Sequence, residues 1–355
     1  MILTKSPHYI TVPWLSPSSA TTPSKYVLKI YVWSGSKSAP PSTATYEEEN
    51  LNPLGLTGSI DINISPYVND VLTLSLNTAT STTVLFGVSA LWVKTEVIYY
   101  LGTVAQPPEF VSTSLASAGY GYGIEGKNPT VPSNNVLANG SIVNVSKNST
   151  FTLPFLISES ATVTTTVISY PSNNINYTIT AAATNQSYQL IQKAVVVVSE
   201  ALTDTYIEVK RAGVLIHTLN IKEELRYTPF DCYFKNKFGV LQSITFFKEK
   251  ITSLKVNSES FESSIGQASD GVHQNSVYNK NGVTSFKAKT GFISETNNEL
   301  IKQLLLSEKV WILEGVLFNP VNVSSSSIEY KSRQKDRLLD YEIDFTFAYN
   351  EINNQ

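Results

Sequence analysis

Residues 59–65 read Ser-Ile-Asp-Ile-Asn-Ile-Ser, which puts Ile60, Ile62 and Ile64 on one face of an extended chain and Asp61, Asn63 and Ser65 on the other. The same period of two, or an unbroken β-branched and aromatic run, returns along nearly the whole sequence. Side chains that alternate in this way cannot make a single stripe along a helix. The pattern therefore predicts an all-β chain built of tandem β-sandwich modules of the immunoglobulin or fibronectin-like kind, with one or two short helices near the C-terminus. At 355 residues the chain can bury two or three separate cores. KYVLKIYVW, 25–33, is apolar on both faces and reads as a central strand. The long aromatic stretch 81–102 is expected to bend at Gly87.

Soft boundaries near 156 and 228 divide the chain into an N-terminal sandwich, 1–155, with a long loop insertion at 103–150, a middle sandwich-like domain, 156–227, and a C-terminal β-rich domain, 228–355. Turn chemistry places hairpins at Pro-Ser-Asn-Asn, 171–174, at Arg211-Ala212-Gly213, and at Asn236-Lys237-Phe238-Gly239. One helix is expected at 296–307, with Thr296 and Glu299 as a capping box ahead of an apolar stripe. A last hairpin pairs SSIEYKS with LLDYEIDFTFAYN.

Several motifs suggest chemistry and are better explained by structure. Gly121-Tyr-Gly123-Ile-Glu-Gly126 has the G-x-G-x-x-G spacing of a dinucleotide turn, but Pro129 and Pro132 follow where a helix must begin to hold a pyrophosphate. It reads as a loop that leaves Tyr120 and Tyr122 free for contacts. Asp61, Asn63 and Ser65 begin like a calcium loop, yet Pro66 stands where that loop needs glycine. Asp340, Glu342 and Asp344 share a strand face opposite a basic turn at 331–337 and read as a solvated cross-strand charge ladder. His8, His217 and His273 lack partners at ligand spacing, and Cys232 alternates with aromatics as a small core residue would. No catalytic, cofactor-binding or metal-ligating residue is assigned.

Charged residues are 15% of the chain, against about 25% in an average soluble protein, and the net charge is −3. Such a chain carries no basic footprint for nucleic acid. The densest apolar run, 194–199, is too short to span a bilayer, and no apolar segment follows Lys5 to make a secretory signal. Glu47, Glu48 and Glu49 read as an exposed loop at a subunit contact. With Tyr120, Gly121, Tyr122, Gly123 and Glu125 they are the candidate contact residues. Nineteen tyrosines fill β cores but also suit binding surfaces, with Tyr120, Tyr122 and Tyr278 on expected loops.

The segment YTPFDCYFKNKFGVLQSITFF carries Phe234, Asn236, Phe238-Gly239, Gln242 and Phe246-Phe247, and it resembles a hairpin of virion structural proteins from Bacteroidota-infecting tailed phages of the crAss-like type. The C-terminal stretch from LLLSEKVWILEG to Ile352-Asn353-Asn354 is similar to the closing part of the same proteins, so the resemblance covers roughly the last third of the chain. The N-terminal YVLKIYVWSG and GSIDINISPYVND are more loosely similar. The resemblance implies a non-enzymatic tail, collar or baseplate subunit that works in a symmetric homo-oligomer beside other tail, collar or portal-proximal proteins. It implies a virion location after assembly in the host cytoplasm. The alternative is a receptor- or glycan-binding fibre module whose loop tyrosines stack on sugars.

Overall fold

The computed structural model describes residues 1–15, 22–52, 58–72, 85–87, 90–131, 136–140, 142–157, 165–171, 175–180, 190–199, 203–262, 273–315, 317–325 and 338–352. The chain is mostly β, arranged in several sheets.

The first part of the chain forms β1 (Ile2–Leu3), β2 (Tyr9–Pro13), β3 (Lys25–Trp33), β4 (Tyr46–Leu51), β5 (Ser59–Asn63), α1 (Ser65–Asn69), β6 (Leu85–Gly87), β7 (Leu91–Leu101), β8 (Val104–Ala105) and β9 (Glu109–Ser117). One sheet has the order β1-β9-β7-β3-β4, with β8 paired to β7. β3 lies between β7 and β4, which explains why its sequence is apolar on both faces. On one face Tyr26, Leu28 and Ile30 meet Val93, Val97 and Tyr99 beneath the β2–β5 pair, whose Val12 and Ile62 close the core. Pro66 sits in the first turn of α1, where its missing N–H costs nothing. This short helix in the N-terminal part was not expected from the sequence.

The chain then forms β10 (Ile142–Ser146), β11 (Thr150–Ile157), β12 (Thr165–Tyr170), β13 (Ile175–Thr180), β14 (Leu190–Val197), β15 (Tyr206–Arg211) and β16 (Val214–Lys222). A five-stranded sheet, β10-β16-β15-β12-β13, faces a three-stranded one, β11-β14-β6. Val143, Ile168, Ile207, Val209 and Leu219 of the first sheet share a core with Phe151, Leu153, Phe155 and Val196 of the second, a sandwich arrangement. The expected bend at Gly87 is a change of sheet: β6 joins β14, while β7 belongs to the N-terminal sheet. The expected boundary near 156 falls within β11, and the segment 103–150 taken as loop contains β8, β9 and β10. β9 hid from the pattern because its first half leaves Phe110 and Val111 exposed, Ser and Thr fill its middle, and only its last three residues are buried. The 211–213 hairpin forms, with Arg211 opposite Val214 and positive φ at Ala212 (48°) and Gly213 (79°), the signature of a type I′ turn. β12 and β13 pair around 171–174, of which 172–174 lie outside the described residues.

The last part forms β17 (Phe230–Lys235), β18 (Leu241–Phe246), β19 (Lys250–Glu262), β20 (Asn275–Lys289), β21 (Ile293–Ser294), α2 (Asn298–Leu305), β22 (Val310–Glu314), β23 (Leu317–Val323), β24 (Leu338–Leu339) and β25 (Glu342–Phe347). Seven strands make one sheet, β18-β17-β22-β23-β25-β20-β19. Leu300, Ile301 and Leu304 of α2 bury against Cys232, Phe234, Phe246, Phe286 and Phe345 of that sheet. The helix begins later than expected: a 3-10 turn, Glu295–Asn297, precedes it, and Ser294 accepts the capping bond from the Thr296 N–H. The Thr296–Glu299 capping box does not form, because Glu299 is engaged elsewhere. The expected strand 326–332 lies outside the described residues, and among those described β25 pairs with β23 and β20. No helix among the described residues is long and apolar enough to cross a membrane.

Candidate functional site

Two features stand apart from these cores: a polar knot that joins the parts of the chain, and a ribbon that leaves the last sheet.

The knot is centred on the loop between β17 and β18. A fourth cluster, with Tyr31, Trp33, Trp92 and Leu115 from the N-terminal sheet, Leu137, Leu156 of β11, and Phe238 and Val240 of the loop, packs where the parts of the chain meet. Asn236 is fully buried beneath it. Its Nδ2 donates to the Leu137 carbonyl (2.6 Å) and to Gln242 Oε1 (3.0 Å), while its Oδ1 accepts from the Phe238 N–H (3.0 Å). Gln242 in turn donates to the Asn139 carbonyl (3.0 Å). Gly239 has φ +75°, and a Cβ there would come within 2.4 Å of the Gly119 backbone nitrogen. The residues Phe234, Asn236, Phe238, Gly239 and Gln242 thus hold segments of the chain against one another. Buried amides need a full set of partners, and here each serves the other's chain segment.

The Gly-Tyr loop extends the knot. Gly123–Glu125 is one 3-10 turn and no α-helix leaves it, so the dinucleotide geometry is absent. The Tyr122 hydroxyl donates to Glu299 of α2, and Gln303 Nε2 donates to the same Glu299 oxygen (2.8 Å). Gln303 Oε1 accepts from Asn139 Nδ2 (2.6 Å) and from the Lys237 N–H (2.9 Å). Lys237 pairs with Glu125 and stands 4.5 Å from the centre of the Tyr122 ring, and Lys302 stands 3.6 Å from it. Burial and the neighbouring Glu299 push the Tyr122 phenol well above its ordinary range, and the same causes, in that order, raise Tyr120 to about 12. Tyr120 packs edge-on to Tyr122 at 6.0 Å. Tyr122 and Glu125, read as candidate contact residues, thus make contacts within the chain, and Tyr120 packs on Tyr122 while both rings line a cleft. Gly121 and Gly123 lie in the same docked loop.

Glu47, Glu48 and Glu49 lie on strand β4, where a loop was expected. Among the described strands β4 is an edge strand that pairs with β3, where charged residues are tolerated. Glu47 and Glu49 pair across it with Lys29 (3.1 Å) and Lys25 (2.9 Å), and Glu48 accepts from the Tyr67 hydroxyl (3.1 Å). This edge is at the far side of the sheet from β9 and the Gly-Tyr loop, so the two groups of candidate residues are not brought together. Glu342 and Asp344 of β25 form the expected ladder, with Lys287 (3.4 Å from Asp344) and Lys289 (3.3 Å from Glu342) of β20 as counter-charges, while Asp340 precedes the strand and accepts from the Gly291 N–H (3.0 Å). The basic turn expected to supply them lies outside the described residues.

The sequence reading missed the ribbon. β19 and β20 pair along their length, but β20 meets β25 only over Ser285 to Lys289. Beyond that point the two strands run on with no further strand beside them among the described residues, for about 30 Å at ~3.3 Å per residue, touched at the base where the Glu351 N–H donates to the Gly282 carbonyl (2.8 Å). Every β19 residue after Lys250 is exposed. Leu254 and Val256 lie opposite Thr284 and Gly282, on the face that carries Phe286 into the core, so they continue that apolar face past the core's end. Ile251 and Phe261 lie on the other face, where Phe261 packs on Tyr278 at 5.8 Å. Tyr278, expected on a loop, is therefore a strand residue at a bulge, beside Asn279 with φ +49°. The outer edge of β19 has no partner among the described strands. The usable signal was two long β-prone runs, 250–262 and 275–289, with apolar residues on both faces, separated by a Gly- and Ser-containing sequence.

No family model matches the chain, and no curated protein or solved structure is significantly similar to it.

Proposed function

We propose that this chain is a non-enzymatic structural subunit of a tailed-phage particle, in the tail, collar or baseplate region, assembling with copies of itself into a symmetric ring. The observation that carries the reading is the β19–β20 ribbon. A two-stranded ribbon is marginal alone in water, and exposed apolar residues on both faces, such as Leu254 and Phe261, need a covering surface. A neighbouring copy supplies one, since a ring is closed by repeating one head-to-tail contact between unlike surfaces. The rigid knot supports the same reading, because a subunit that works by geometry needs its parts held in fixed relation. The similarity of the 227–247 motif to virion proteins sets the context.

The test is sedimentation of the full chain over a range of concentrations, beside a Leu254→Ser, Phe261→Ser variant. The proposal expects concentration-dependent closure to one oligomer that the variant loses while its melting temperature is kept. A monomer at all concentrations, or an oligomer indifferent to the variant, contradicts it.

A further inference from the structure

A cleft of about 370 Å³ opens beside the Gly-Tyr loop, walled by Lys5, Tyr120, Tyr122, Lys235, Leu306 and Glu308. Four separate pieces of chain build it: the segment after β1, the loop after β9, the end of β17, and the segment after α2. Lys235 is only 8% exposed, and its backbone N–H is tied to Ser307 Oγ (3.1 Å) and the Lys309 carbonyl (3.1 Å). Its ammonium has no ion pair or hydrogen bond among the described residues. Lys5 and Glu308 pair with each other at 3.0 Å across the cleft wall. The wall charges therefore sum to one uncompensated positive charge, held at Lys235. The Lys235 stem is buried while the residue lines the cleft, so its charge is offered to what enters there, and a positive charge in a half-apolar cleft attracts an anion more strongly than one in open water. Desolvation lowers the Lys235 pKa, with Lys5 and Lys309 adding to the effect and Glu308 opposing it. The two tyrosine rings, Leu306 and Ala118 make much of the remaining wall apolar, beside the Gly121 and Gly123 backbone.

We infer that this cleft is a binding site for an organic monocarboxylate on an apolar stem, with the carboxylate paired to Lys235 and the stem against Tyr120, Tyr122 and Leu306. One unpaired ammonium matches a single negative charge. A phosphate dianion would leave charge unmatched in a half-apolar cleft. The carboxylate comes either from a small free acid or from a polypeptide.

The test uses the full chain and calorimetric titration with hexanoate, hexanamide, inorganic phosphate, and a short peptide ending in leucine in its free-acid and amidated forms. Hexanoate should bind at least about tenfold more tightly than hexanamide, one full charge–charge contact being worth that much. Lys235→Met should abolish that preference, and Glu308→Gln, which frees Lys5, should increase hexanoate affinity severalfold, a gain that no folding defect can mimic. Free-acid peptide bound more tightly than hexanoate identifies a polypeptide source, and the reverse a small acid. Equal binding of hexanoate and hexanamide, preference for phosphate, or hexanoate binding unchanged in Lys235→Met would overturn the inference.

Discussion

The Tyr122 hydroxyl donates a hydrogen bond to the Glu299 carboxylate across 177 residues of sequence. It ties the loop after β9 to α2 in the C-terminal part, and Gln303 and Lys302 crowd the same place. A loop that looked free in sequence is thus a fastening. Tyr122→Phe keeps the ring between its two lysines and removes only the bond to Glu299, so it should cost about 1–2 kcal/mol in chemical denaturation. Glu299→Gln should cost a similar amount, and the double variant less than the sum. Additive losses would mean that the two groups are not coupled.

Asn236 is the centre of the knot, and its removal strands partners on three segments. Asn236→Ala is expected to lose about 3 kcal/mol, because the buried Leu137 carbonyl, Gln242 and the Phe238 N–H are left unpaired together. Gly239→Ala should be at least as harmful, since its positive φ and the 2.4 Å approach to Gly119 both exclude a Cβ. Thermal unfolding measures both, and a loss below ~1 kcal/mol for Gly239→Ala would contradict the close packing described here.

His217 gives the fold a pH dependence with a definite sign. It is buried on β16 against Phe151, its Nε2 has no hydrogen-bond partner among the described residues, and burial pushes the imidazole from 6.5 down to about 4. Unfolded chains bind a proton there at pH values where folded ones do not. The contribution is therefore complete above pH ~6.5 and is lost as pH falls toward ~4, amounting to about 3 kcal/mol. His217→Leu should remove that part of the acid-side loss of stability. Denaturation curves at pH ~7 and pH ~4.5 read the difference.

Ala212 occupies a left-handed position in the two-residue turn between β15 and β16. Replacing it with Asn creates the Asn-Gly pair such a turn favours, and Ala212→Asn should stabilise by about 0.5–1 kcal/mol. A loss of stability would show that the turn conformation differs from that described.

How far the sequence could be read depended on how locally each feature is determined. The central strand β3, the half-buried β5, the hairpin at Ala212-Gly213 and the burial of Cys232 follow from neighbours a few residues away, and all four are in the structure. What failed depended on distant partners. Glu299 looks like a capping residue until Tyr122 and Gln303 are beside it. Three glutamates look like a loop until β3 presents Lys25 and Lys29 opposite two of them. The Gly-Tyr loop looks like a surface loop with free tyrosines until the 236–240 loop and α2 are beside it. β19 carries its apolar residues on both faces, Ile251 and Phe261 on one and Leu254 and Val256 on the other, and nothing local says that such a strand has no core beneath it.

The proposed ring-forming role in a virus particle is decided by the copy number of the chain in purified particles. Quantitative mass spectrometry of particles from cells that carry the gene, scaled to the portal protein, should give about six or twelve copies, as a closed ring on a tail axis requires. Absence of the chain from the particles would contradict the account.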